Sequence, residues 1–60
     1  MKDLERDDNI HAQAIAKTIS NKSDDLLAHL ARLNFNRAEG ALISIKMNVI
    51  ELEKIFKRYS

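Results

Sequence analysis

Acid–base or metal chemistry in this 60-residue chain would have to rest on His11 and His29. Asp7 stands four residues before His11, and Asp25 four before His29. On a helix each imidazole therefore has a carboxylate one turn below it, a spacing typical of surface ion pairs. A metal centre needs three or four ligands converging on one point, whereas eighteen residues of helix put the two histidines about 27 Å apart. Glu51 and Glu53 project to different sides of a helix and make no acid–base pair. Neither Thr18 nor any serine stands three or four residues from a histidine, so no nucleophile–base spacing arises. Gly40 is the only glycine, which rules out a Gly-rich phosphate loop. Cysteine is absent, and with it disulfides and thiolate ligands. The expectation is a protein that is not an enzyme, with no cofactor, no metal and no small-molecule substrate.

Electrostatics offers one further chemistry, phosphate binding. Lys54, Lys57 and Arg58 cluster at the C-terminus and are the candidate phosphate contacts, a group that a dimer would double. Ten Lys and Arg against nine Asp and Glu leave a net charge of +1, and the remaining basic residues are dispersed among acids. The terminal cluster also suits the negative end of a helix dipole and an acidic N-terminal segment returning beside it. Nucleic acid is therefore the secondary expectation, not the favoured one.

The elements that would position such groups are helical. Proline is absent, no alternating β-branched run appears, and there is no Asn-Gly or Asp-Gly turn. From Asn36 to Tyr59 the residues Ala38, Leu42, Ile45, Val49, Leu52, Phe56 and Tyr59 recur at steps of three and four, the spacing of a helix–helix seam. Ile43, Met47 and Ile50 form a second apolar stripe on roughly the opposite side. Upstream, Ile15, Ile19, Leu26, Leu30 and Leu33 share one sector of a continuous helix. The polar run Ser20–Asp25 interrupts them, and Ser23 followed by two aspartates could cap a new helix. The phase match across the run favours one unbroken helix. Asn36 with Glu39 suggests a capping box opening the second helix, and Asn34 a cap ending the first.

The expected fold is therefore all-α, an antiparallel two-helix hairpin in one small domain. Helix 1 covers about 8–34, the loop 34–36 and helix 2 about 37–59, with residues 1–7 frayed. Folding back near residue 35 or 36 pairs Ile15 with Phe56, Ile19 with Leu52, Leu26 with Ile45, and Ser23 with Asn48. The expected hairpin core is Ile15, Ile19, Leu26, Leu30, Leu33, Leu42, Ile45, Val49, Leu52 and Phe56. A hairpin of this size buries too little apolar surface to be robust alone. The second stripe, with Leu27 and Ala31, is accordingly the expected interface of a homodimeric four-helix bundle: Leu27, Ala31, Ile43, Met47 and Ile50. The alternative is a monomeric three-helix bundle with a break near Lys22.

No apolar run approaches the ~18 residues needed to span a bilayer, and the acidic N-terminus lacks a signal-peptide core. A cytoplasmic location is expected, with no membrane partner. The functional expectation is a small regulatory protein acting on a partner protein through a bundle face, of a size and composition common in phages and plasmids. A nucleic-acid-binding regulator of the same hairpin-dimer shape is the alternative.

Overall fold

In a computed structural model, residues 5–60 form two antiparallel helices, α1 (Arg6–Ala31) and α2 (Phe35–Lys57). Of the segment expected to fray, residues 1–4 lie outside the described residues, whereas Arg6 and Asp7 open α1. Asp7 and Asp8 occupy its first turn, where the free N–H groups and the positive dipole end favour carboxylates. No helix among the described residues is long and apolar enough to cross a membrane.

α1 runs unbroken through Ser20–Asp25, so the three-helix alternative does not hold. No glycine or proline interrupts the stretch, and Ser20, Asn21, Ser23, Asp24 and Asp25 all face solvent. Polar residues on the outer side of a helix cost only tenths of a kcal/mol each in propensity, too little to break a helix whose other face is packed. Lys22 is half-buried, its aliphatic stem lying along the hairpin.

The turn falls earlier than the sequence suggested. The chain leaves α1 through Arg32 and a left-handed Leu33, with φ 59°. The Leu33 N–H donates to the Leu30 carbonyl (3.0 Å) and the Asn34 N–H to the His29 carbonyl (2.9 Å). These two bonds satisfy carbonyls that the helix end would otherwise leave open. Asn34 caps α2 rather than ending α1: its side-chain oxygen accepts from the Arg37 N–H at 3.2 Å. The expected Asn36–Glu39 box is absent, because Asn36 already lies inside α2.

Leu33 holds a conformation that costs a β-carbon-bearing residue roughly 1–2 kcal/mol, and its side chain is 92% exposed. Glycine removes that strain and returns about 0.5–1 kcal/mol of it as extra freedom in the unfolded chain. Leu33→Gly should therefore stabilise the protein by about 0.5–1 kcal/mol. A thermal melt that is unchanged or lowered would show that the Leu33 side chain makes contacts outside its own hairpin.

Moving the turn shifts each facing pair by about one helical turn. Asp8 meets Tyr59, and Ala12, Ile15 and Ile55 form the buried core with Ile19, Leu52 and Tyr59 packed against it. In this register Ile15 stands level with Leu52 instead of Phe56, Ile19 with Asn48 instead of Leu52, and Leu26 with Ala41 instead of Ile45. The buried and half-buried seam of α2 runs Ala38, Ala41, Ile45, Asn48, Leu52 and Ile55, with half-buried Ser44 beside it and Tyr59 just beyond the helix end. In α1 it runs Asp8, Ala12, Ile15, Ile19, Lys22, Leu26 and His29, with half-buried Asn9 and Thr18 beside it.

Five residues expected in the seam are therefore out of it: Leu30, Leu33, Leu42, Val49 and Phe56 are exposed. α2 has an apolar band three positions wide. The hairpin uses the half carrying Ala41, Asn48 and Ile55, each smaller than the adjacent Leu42, Val49 or Phe56 that is left on the flank. Gly40 has nothing within 4 Å of where a Cβ would stand, so no close approach requires a glycine there.

Candidate functional site

The groups that could do chemistry do not converge. His11 is exposed, His29 lies half-buried near the turn, and most of α1 separates them. Among the described residues no three His, Asp or Glu side chains stand together in a metal-binding group. Glu51 accepts from Lys54 at 3.3 Å, an exposed pair one turn apart.

Among the described residues, the one polar cluster joining the two helices is at their open end. Arg58 Nη1 donates to Asp8 Oδ1 at 3.0 Å, and the Tyr59 hydroxyl donates to Asp8 Oδ2. The same hydroxyl accepts the backbone N–H of Glu5 at 3.2 Å. Asp8 thus serves the free N–H end of α1 and also ties down the last residues after α2. Of the candidate phosphate contacts, Lys54 and Arg58 already have carboxylate partners, and all three, with Lys57, are exposed.

The Asp8 carboxylate holds the Tyr59 hydroxyl above its ordinary pKa of 10.0, because ionisation would forfeit the hydrogen bond and set a phenolate against a carboxylate. The Glu5 N–H pulls the other way and is outweighed. A hydroxyl whose pKa is raised on folding stabilises the fold below the unfolded value. That contribution disappears as pH climbs through the folded value, here above 10. Tyr59 is the only tyrosine and tryptophan is absent, so absorbance titration of the phenolate reads this group alone. The native midpoint should lie above 10 and fall back towards it in Asp8→Asn. A wild-type midpoint at the free-tyrosine value would mean the clasp does not hold in solution.

The remaining surface is unusually apolar. Leu27, Leu30, Phe35, Leu42, Ile43, Met47, Val49, Ile50 and Phe56 are all exposed. At about 100° per residue, measured from the seam, they sort into two groups. Phe35, Leu42, Val49 and Phe56 recur every seven residues along one flank of α2. In an antiparallel pair the matching flank of α1 lies on the same side, and it carries Leu30, with Leu27 beside it. Ile43, Met47 and Ile50 lie on the outward and opposite side of α2. Glu39, Lys46 and Glu53 run between the two groups.

Leu27 and the Ile43–Met47–Ile50 stripe, expected to form one interface together with Ala31, consequently do not share a face. Met47 and Ile43, with Gly40, Ser44, Asn48 and Glu51, line a shallow open depression of about 450 Å³ on α2 alone. Leu42, Val49 and Phe56 were expected in the hairpin seam; their strict seven-residue spacing from Phe35 is the signal that could have set them apart as a flank. The clasp was legible only as complementary charge at the two ends. The chain matches no protein-family model, and no curated protein or solved structure matches it.

Proposed function

We propose that this protein is a non-enzymatic interaction module: a helical hairpin that pairs with a second copy as a four-helix bundle and regulates a partner protein, in the cytoplasm, through a bundle face. The observation that carries this reading is the quantity of apolar side chain left outside the seam. Among the described residues only Ala12, Ile15, Ala38, Ala41 and Ile55 are buried, against eleven large apolar residues exposed. Exposed apolar area of that extent on a small protein marks association. An exposed helix stripe such as Ile43–Met47–Ile50 has the spacing with which helical partners are recognised.

Sedimentation equilibrium at micromolar concentration should return twice the 6.9 kDa chain mass. Mixed RNA and DNA should show no binding at physiological salt. Binding that is tight at low salt and falls steeply as salt rises would instead indicate phosphate contacts, and would replace this reading with a nucleic-acid-binding regulator.

A further inference from the structure

We propose that the second copy docks on the flank carrying Leu30, Phe35, Leu42, Val49 and Phe56, and that the Ile43–Met47–Ile50 stripe stays outside that interface. This inference rests on the dimer reading and adds the surface that makes it.

Area is the first argument. The protein is a rod of 43 × 15 × 15 Å exposing 5027 Å². A compact monomer of 6.9 kDa exposes about 4,000 Å². The excess of about 1,000 Å² is close to the ~800 Å² that each partner buries in a stable interface. Laying two rods flank to flank removes it.

Pattern is the second. A helix that is apolar at its seam positions and at one flanking position of each heptad, as α2 is with Asn48 excepted, has the stripe width of a bundle helix covered on two adjacent sides. Leu42 and Val49, 41% and 40% exposed, border the seam at mid-hairpin, whereas Ile43, Met47 and Ile50 at 51–63% lie on the far side of α2.

Shape and charge are the third. On the matching flank α1 presents small exposed Ala16, Ser20 and Ser23 and no charged residue. A two-fold axis along the bundle would lay Leu42 and Val49 of each chain over the small Ser23, Ser20 and Ala16 of the other, with Phe35 level with the Leu30 end of the flank. The interface is thereby self-complementary, which is what a second copy requires and an arbitrary partner does not supply. The opposite flank carries Asp25, Arg37, Glu51 and Arg58, charges that a buried interface would have to desolvate, whereas Glu39, Lys46 and Glu53 lie at the outer edge of the proposed flank.

Val49→Asp and Met47→Asp separate the two faces. Sedimentation equilibrium at 10–100 times the wild-type dissociation constant should show Val49→Asp shifted to monomer, with Met47→Asp still dimeric. The chain has no cysteine, so Val49→Cys and Met47→Cys each introduce a single thiol. In a dimer the Val49→Cys thiol should react with a thiol reagent at least tenfold more slowly than the Met47→Cys thiol, and dilution should abolish the difference. This second measurement decides the question even where Val49→Asp unfolds. A dimer that Met47→Asp dissociates, or in which the Met47→Cys thiol is the protected one, would overturn the assignment of the face and leave the dimer standing. A wild-type chain that sediments as a monomer would overturn the dimer reading itself, and the docking face with it.

Discussion

Ile55→Ala is expected to leave the protein largely unfolded at 25 °C. Ile55 is the most buried large side chain, 2% exposed, and it closes the core against Ala12 and Ile15. Truncating a buried isoleucine to alanine costs roughly 2–5 kcal/mol, counting lost transfer energy and the cavity that remains. A core in a chain this short supplies only about 3–5 kcal/mol in total. Ala12 has no side chain long enough to fill the gap, and Ile15, Ile19, Leu52 and Tyr59 are already packed in the same cluster. Ile55→Val, which removes a single methyl, should cost only about 0.5–1.5 kcal/mol and keep the fold. Circular dichroism at 222 nm against temperature checks both. If Ile55→Ala melted within a few degrees of wild type, α2 would have to be rotated so that Phe56, not Ile55, enters the seam.

Asn48→Leu is expected to act in the other direction. Asn48 is half-buried in the seam, level with Ile19, and its side-chain amide donates to the Ser44 carbonyl of its own helix at 2.8 Å. Asn48 is thus a residue within the seam that satisfies itself locally. Leucine would therefore add apolar burial beside Ile19 without stranding a cross-helix partner. Full burial of a leucine is worth about 1.5–3 kcal/mol, so a half-buried one should contribute about 1–2 kcal/mol. For a domain of this size the melting temperature should rise by roughly 4–8 °C per kcal/mol. The cost, if any, should appear in specificity, since a single polar layer commonly fixes register and subunit number. A melting temperature that falls instead would show that the amide has a partner on another chain, and the local hydrogen bond would not account for the residue.

The fold class was legible in the sequence for simple reasons. The absence of proline, with one glycine and no β-branched alternation, leaves helix as the backbone state. The shared phase of Ile15, Ile19 and Leu26 carries α1 through its polar interruption, because phase is a property of one continuous helix. Asn34 and its neighbours marked a turn, and a short turn between two helices makes them antiparallel neighbours.

Where the turn begins and which edge of α2 faces α1 were decided by tertiary structure. The turn depends on Leu33 entering the left-handed region, a conformation that intrinsic preference assigns to glycine or asparagine. The flanking hydrogen bonds and the start of α2 at Phe35 hold it there. The edge depends on how closely two backbones can approach. Hydrophobicity alone favours Leu42, Val49 and Phe56 over Ala41, Asn48 and Ile55. Close approach favours the smaller set, because dispersion contacts fall off steeply with separation and Ala38 and Ala41 bring the helices together near the turn. A periodic pattern records which residues avoid water. It does not record which neighbour covers each of them, and that depends on side-chain volumes meeting across the seam.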